Sequence, residues 1–164
     1  MILDQINLPD GKLASLMPYQ EALLGDIKSS CVHAFVPPRR RSGTSILLYN
    51  YILAHAVQHL TSYNQMHRGI LIVSENVQRS MHVRDSVLEL ASTIDVTSPI
   101  VRELSNVFVL ESWRGDMSRA IHGIKYSLVF FNGARNSDMH KIRQVTSYVC
   151  ASNPNAKCII EMCS

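Results

Sequence analysis

The chain passes from an apolar run through a basic turn into a second apolar segment over Cys31-Val32-His33-Ala34-Phe35-Val36-Pro37-Pro38-Arg39-Arg40-Arg41-Ser42-Gly43-Thr44-Ser45. Residues 31–36 are few, apolar and rich in valine and phenylalanine, which favours a buried strand. Two prolines end this run. The segment over residues 44–64 is apolar on most sides and predicts a long helix packed against a sheet.

The alternation of short apolar runs and helical stretches continues along the chain. A helix is predicted over residues 18–29, with Pro18 in its first turn. Further strands are predicted over residues 70–73, 107–110, 127–131 and 158–160, and further helices over residues 76–92 and 138–151. The strand runs are hydrophobic throughout, which is typical of a parallel sheet covered on both faces. The prediction is therefore an α/β fold, a three-layer sandwich with a mainly parallel central sheet.

Length and composition limit the class of protein. With 164 residues, 46% hydrophobic and 18% charged, the chain is expected to form one globular domain over residues 1–164. Residues 1–16 are expected to be irregular, with a turn at Pro9-Asp10-Gly11. The formal net charge of +3 permits contact with nucleic acid without requiring it.

The sequence predicts no membrane-spanning helix, no signal peptide and no zinc-binding motif. No apolar run approaches about 20 residues, and the N-terminus lacks the regions of a signal peptide. The four cysteines form no CxxC pair, so reduced thiols in an intracellular protein are expected. His55 and His59 lie four residues apart without an acidic third ligand, which favours core or exposed histidines over a metal site.

The basic turn is the first candidate site, because ligands bind beyond the carboxyl ends of parallel strands. A standard phosphate-binding loop offers backbone N–H groups, a lysine for the phosphates and a Ser or Thr for Mg²⁺. Gly43 and Ser45 match the final glycine and the Mg²⁺-binding hydroxyl, but Thr44 occupies the lysine position. Arginines supply the charge instead. The predicted phosphate-binding residues of the loop are Arg39, Arg40, Arg41, Ser42, Gly43, Thr44 and Ser45. A solvated turn, or contact with DNA or RNA phosphates, is the alternative interpretation.

The end of the predicted strand over residues 127–131 is the second candidate site. P-loop ATPases place an Asp there for Mg²⁺ and often a Glu that orients the attacking water. Asn132 and Gly133 stand at these positions. Neither can replace a carboxylate, and single groups of this kind contribute about 10²–10⁴ in rate. Taken alone, the Asn-Gly pair is typical of an ordinary turn.

Together the two sites resemble the ATPase domain of viral terminase large subunits, the DNA-packaging motors of tailed phages and herpesviruses. Residues 36–45 resemble the Val-Pro-Arg-Arg-x-Gly-Lys-Thr loop of that family. Pro18-Tyr19-Gln20 resembles its Pro-Tyr-Gln entry, in which the Gln sits near the adenine pocket. Residues 114–134 resemble its Ser-x-x-Arg-Gly block and the following strand with Asp-Glu-Ala, although His122 stands where the block usually has Arg.

The resemblance implies a retained fold with a degenerate catalytic apparatus, because Thr44, Asn132 and Gly133 replace the family's Lys, Asp and Glu. ATP and Mg²⁺ are the cofactors it implies, with Gln20 as a further nucleotide-binding residue and Ser45 as the candidate metal ligand. The missing Lys and Asp argue against both cofactors and against ATPase activity. The expected role is a binding or regulatory component of a viral DNA-packaging or nucleoprotein assembly, with packaging proteins or nucleic acid as partners.

Two alternatives stay open on the sequence alone. The chain could be an active ATPase that drives DNA translocation, with Arg40 or Arg41 in place of the lysine and Glu75 or Glu161 in place of the carboxylates. It could instead bind nucleic acid without nucleotide.

Trp113 has two interpretations of its own. With Arg114 and Arg119 it could clamp a strand of nucleic acid, or it could be a packing residue.

Overall fold

Seven strands and four helices are present in the computed structural model, which describes residues 4–29, 33–37, 43–61, 69–94, 102–122 and 124–163. The strands are β1 (Gln5–Asn7), β2 (Leu13–Ser15), β3 (His33–Val36), β4 (Ile70–Ser74), β5 (Phe108–Ser112), β6 (Leu128–Ala134) and β7 (Lys157–Met162). The helices are α1 (Pro18–Ser29), α2 (Thr44–Thr61), α3 (Val77–Ile94) and α4 (Met139–Ser152). Shorter helical turns lie at Leu104–Val107, Ser118–Ile121 and Asn136–Asp138.

Five of the strands form one sheet in the order β3-β7-β6-β4-β5. Every pairing in this sheet is parallel. Successive parallel strands need crossover connections, and helices α2, α3 and α4 supply those from β3 to β4, from β4 to β5 and from β6 to β7. The predicted parallel sheet is confirmed. The helix over residues 18–29 is present with the predicted bounds, and the bounds of the elements after residue 69 are shifted by a few residues. Residues 31 and 32 of the first predicted strand and residues 62–64 of the second predicted helix lie outside the described residues.

Helices cover both faces of the sheet, which confirms the three-layer sandwich. On one face, α1, α2 and α3 pack over strand residues such as Ile72 and Phe130. On the other face, α4 and the segment after β5 pack over Val73 and Phe131. All four of these side chains are fully buried. Successive side chains of a strand point to opposite faces of the sheet. A strand that is buried on both faces therefore needs apolar residues at successive positions. Within the described ranges, no helix is long and apolar enough to cross a bilayer.

The prediction that residues 1–16 are irregular was wrong. From residue 4 onward they form an antiparallel hairpin of β1 and β2. The predicted turn is present, with Gly11 at a φ of +81° and its N–H donating to the Leu8 carbonyl at 2.9 Å. Strands of three residues are too short to display the alternation by which a strand is recognised from sequence.

Asn50, buried in α2, ties this hairpin to the rest of the domain. Its Oδ1 accepts hydrogen bonds from the Asn7 backbone N–H at 2.8 Å and from Asn7 Nδ2 at 3.2 Å. Its Nδ2 donates to the carbonyls of Asn7 at 3.1 Å and Ile46 at 2.8 Å. One amide side chain thus satisfies both backbone polar groups of Asn7.

The substitution Asn50→Ala is expected to lower the free energy of unfolding by about 2 kcal/mol, because two partly buried backbone groups lose their partners. Urea denaturation measures the loss. The matched control is Gln58→Ala, at an exposed position of the same helix, with an expected change within about 0.5 kcal/mol. Equal losses in the two variants would contradict the anchoring role of Asn50.

Candidate functional site

The first candidate site lies between β3 and α2, and the structure describes its second half. Gly43 precedes α2, which begins at Thr44. The Thr44 side chain is buried and the Ser45 side chain is exposed. The remaining predicted residues of the loop, Arg39, Arg40, Arg41 and Ser42, lie outside the described residues. At the start of α2, the Ser45 hydroxyl therefore faces solvent and the Thr44 side chain faces the interior.

Gln20 brings the Pro-Tyr-Gln segment into contact with the loop. Its Nε2 donates to the Gly43 carbonyl at 3.1 Å, and its Oε1 accepts from the Met17 backbone N–H at 2.9 Å. Gly43 has a φ of +71°, and a Cβ there would come within 2.5 Å of Gln20 Nε2. Glycine is required at this position both by the backbone conformation and by the buried amide. Each end of the Gln20 amide is engaged within the protein, so its structural role is to fix the loop's exit into α2.

A polar row crosses the sheet at the carboxyl ends of four strands. Glu161 of β7 is in register with Asn132 of β6, Asn132 with Ser74 of β4, and Ser74 with Ser112 of β5. Two residues earlier, β7, β6 and β4 carry core residues that pack under α1, α2 and α3. Side chains alternate along a strand, so the polar row belongs to that same face of the sheet.

The central contact of the polar row joins Asn132 to Glu161. Asn132 Nδ2 donates to Glu161 Oε2 at 2.6 Å. Burial raises the pKa of the Glu161 carboxyl, while the Asn132 hydrogen bond and the positive charge of Arg79 act in the opposite direction. Burial also raises the pKa of Tyr49, to which the charge of Glu161 adds. Tyr49 lies one helical turn after Ser45, so this contact is close to the first turns of α2.

Arg79 covers the glycine that follows Asn132. A Cβ on Gly133 would lie 3.0 Å from Arg79 Nη2, 3.4 Å from Cζ and 3.5 Å from Nη1. The guanidinium group therefore lies across this residue. A cation therefore lies beside the end of β6.

The interpretation of Asn132-Gly133 as an ordinary turn was wrong. β6 continues to Ala134, and its register with β7 shifts between Asn132 and Ala134. Gly133 has a φ of +73° at this irregularity. An extra residue with positive φ is the signature of a β-bulge, and bulges re-aim side chains beside functional sites. A bulge and a turn share the same residue preferences, which is why the pair of residues alone could not distinguish them.

Glu75 lies between two arginines at the end of β4. Its carboxylate is 3.7 Å from Arg79 Nη1, and it also forms an ion pair with Arg114. Ser112 Oγ donates to the Glu75 carbonyl at 2.7 Å and accepts from the Arg114 N–H at 3.2 Å. The Ser74 hydroxyl is buried and has no hydrogen-bond partner within the described part of the chain. The edge therefore holds an Arg-Glu-Arg cluster beside a buried hydroxyl.

Packing decides one further sequence interpretation. Trp113 is 3% exposed and belongs to the core under α4, so the hypothesis that it stacks on nucleic acid was wrong and the packing interpretation is confirmed. His55 packs against Tyr51, with ring centroids 4.7 Å apart.

Sequence reasoning missed Ser74 and Ser112 as parts of the site, and it indicated Arg79 only as a solvated helix residue or a nucleic-acid contact. The two serines could have been found, because each is the last residue of a strand at the ligand-binding edge. Arg79 carries no such signal, since an arginine in the first turn of a helix is most often solvated.

The fold is similar to that of the HK97 bacteriophage large terminase, with a TM-score of 0.57 at 17% sequence identity. The similarity covers 96% of this chain and 35% of that terminase chain, so this chain spans about a third of the terminase's length. The likeness confirms a terminase-like α/β fold. No protein-family model and no curated protein sequence matches this chain.

Proposed function

We propose that this chain is a terminase-like module with a degenerate ATPase site, which acts as a binding or regulatory component of a viral DNA-packaging or nucleoprotein assembly. The hydrogen bond from Asn132 to Glu161 carries the proposal. An amide stands in place of the acid that would hold Mg²⁺, and it is directed at a carboxylate of the neighbouring strand.

The surroundings of this contact also oppose metal-assisted hydrolysis. Mg²⁺ in ATPases is held by a hydroxyl and carboxylates together with substrate phosphates. Here Gly133 offers no base, Thr44 offers no ammonium group, and Arg79 places a positive charge across Gly133. A cation at that position repels a second cation at close range. The chemistry that remains is binding rather than catalysis.

The partners are proposed from the basic turn and from the terminase-like fold. Arg39, Arg40 and Arg41 lie directly before α2 in sequence, and arginine recognises phosphates of nucleic acid well. Packaging proteins or nucleic acid of a virus, inside the host cell, are the proposed partners.

Purified protein is expected to release phosphate from ATP and Mg²⁺ no faster than its Ser45→Ala variant, with or without double-stranded DNA. Two carboxylates and a lysine are missing, and each group of this kind contributes about 10²–10⁴ in rate. Phosphate release at matched protein concentration is the measurement. Robust hydrolysis that Ser45→Ala abolishes would contradict the proposal.

An active ATPase that uses Glu161 is the second candidate function, because this acid adjoins Asn132 and lies close to Tyr49 of α2. Glu161→Gln separates the two functions, since it removes the charge but keeps an oxygen that can accept from Asn132. The matched control is Glu111→Gln, at a half-buried position of β5. Hydrolysis in the wild type and in the control, lost in Glu161→Gln, would establish the second candidate.

A further inference from the structure

We propose that a cavity between the segment after β5 and α4 binds a small carboxylate that carries an apolar group about the size of a benzene ring. The cavity has a volume of about 200 Å³ and is lined by residues of the segment 113–122 and of α4. Its apolar lining belongs to the core on the face of Val73 and Phe131, whereas the polar row lies on the opposite face of the sheet. The site is therefore separate from the polar row, and the inference goes beyond the proposed function.

The wall of the cavity includes a buried donor. Trp113 lines the cavity and is 3% exposed, and its indole N–H has no hydrogen-bond acceptor within the described part of the chain. Buried N–H groups are almost always paired, so an unpaired one needs an explanation. The indole nitrogen can only donate, and an acceptor atom of a ligand would therefore supply the missing partner.

Two exposed residues of α4 add further donors to the lining. The Lys141 ammonium group forms no ion pair with another described residue, and the Gln144 side-chain amide forms no hydrogen bond with one. Lys141 and Gln144 lie three residues apart, so they are neighbours on one side of the helix. An ammonium group, an amide and an indole N–H at one cavity favour an oxygen ligand, and a negatively charged oxygen most of all.

The charges at this end of α4 balance, but they are not equally available. Lys141 and Arg119 oppose Asp116 and its neighbour Glu111. Asp116 Oδ1 accepts from the Ser118 backbone N–H at 2.9 Å, and hydrogen bonds from Ser118 lower the pKa of Asp116, to which the charge of Arg119 adds. Burial raises the pKa of Glu111, and the charge of Asp116 adds to that effect. A carboxylate ligand therefore meets the uncommitted charge of Lys141, whereas a cationic ligand would compete with Ser118 and Arg119 for Asp116.

The remaining lining sets the size and the apolar character of the ligand. Met117, Ile121 and Val145 are buried, and the rings of His122 and Tyr148 pack together with centroids 5.0 Å apart. An apolar cavity of about 150 Å³ accommodates benzene, and drug-sized ligands occupy pockets of at least about 300 Å³. A volume of about 200 Å³ therefore suits one ring with one carboxylate.

The test is titration of the full chain with benzoate, followed by the indole N–H signal of Trp113 in NMR spectra. Trp113 is the chain's only tryptophan, so this signal is unique. We expect saturable binding with a Kd on the order of 1 mM, as suits a ligand of this size. The indole proton is expected to shift downfield as it gains an acceptor. Benzylamine has the same ring with the opposite charge and is expected to bind roughly tenfold more weakly or worse.

Lys141→Met is expected to weaken benzoate binding roughly three- to tenfold, because the lost charge is an exposed one. Arg143→Met is the matched control. It removes the same charge from an exposed position of the same helix outside the cavity lining, and the affinity is expected to stay within about twofold of wild type.

Trp113→Phe removes the buried donor and keeps an aromatic ring. Calorimetry is expected to show benzoate binding weakened by about tenfold or more in this variant, because the lost hydrogen bond is made to a charged group. Lys141→Met keeps the inference testable should Trp113→Phe fail to fold.

A carboxylate of this kind is found on a free small acid and at the C-terminus of a peptide. Acetyl-glycyl-phenylalanine and its C-terminal amide separate the two sources. Tighter binding of this peptide than of benzoate, lost in the amide, would assign the site to a peptide C-terminus. Tighter binding of benzoate would assign it to a free acid, and either result supports the inference.

Three results would overturn the inference: an indole signal that benzoate leaves unchanged, equal binding of benzoate and benzylamine, or equal affinities in Lys141→Met and Arg143→Met. ATP hydrolysis that Ser45→Ala abolishes would refute the proposed function and leave this inference standing. Failure of benzoate to bind would refute this inference alone.

Discussion

Replacing Phe130 with alanine is expected to lower the free energy of unfolding by about 3–5 kcal/mol. Phe130 is fully buried in β6, the middle strand of the sheet, and packs into the core under α1, α2 and α3. Strands on both sides fix its backbone. The structure cannot collapse fully around the missing ring, so the substitution leaves a cavity in addition to the lost burial.

Phe131→Ala tests the second layer of helices in the same way. Phe131 is equally buried but lies on the opposite face, under α4. A loss of about 3–5 kcal/mol is expected here too. The matched control is Phe35→Ala on the edge strand β3, where the side chain is 56% exposed and a loss below about 1 kcal/mol is expected. Denaturation in guanidinium chloride compares the three variants. A loss in Phe131→Ala as small as that in the control would contradict the three-layer architecture.

Acid is expected to destabilise the protein through His55 by up to about 3 kcal/mol as the pH falls from 6.5 to about 4. Burial lowers the pKa of His55 from 6.5 to about 4, and the positive charge of Lys157 adds to the effect. In this window the unfolded chain binds a proton that the folded chain does not. The contribution of His55 is therefore complete above pH 6.5 and is lost as the pH falls through the folded pKa.

His55→Phe isolates this effect, because it keeps an aromatic ring against Tyr51 and removes the titrating group. Its stability is expected to depend less on pH between 6.5 and 4 than that of the wild type. Glu161 has the opposite effect on the pH dependence of stability, because its pKa is raised in the folded protein. Its contribution to the free energy of unfolding is complete below the pKa of Glu161 in the unfolded chain and declines as the pH rises. Parallel pH curves for the wild type and His55→Phe, measured by urea denaturation, would contradict the assignment.

Single residues of the candidate site could be predicted from the sequence, but the contacts between them could not. Asn132, Gly133 and Ser45 could be singled out because each lies at a recognisable offset from an apolar run, and Gln20 because Pro18-Tyr19-Gln20 resembles a motif of the terminase family. Glu161 could be named only as one of two acids near strand ends. Nothing local indicated that this acid, 29 residues from Asn132, would accept its hydrogen bond.

The α/β class and the burial of the strands on both faces follow from local sequence patterns alone. Continuous apolar runs and helical periodicity are local properties, and the hydrophobic effect acts on them wherever the chain runs. The sequence also supplies the prediction that Thr44, Asn132 and Gly133 stand at the positions of the Lys, Asp and Glu of the resembled family.

Which residues lie beside Asn132 and Gly133 depends on the tertiary structure. The strand order puts Glu161 beside Asn132, and the packing of α3 puts Arg79 across Gly133. Several apolar strands of similar length can pair in many orders, so no local pattern specifies which neighbours meet. Register, the bulge at Gly133 and helix packing together specify them.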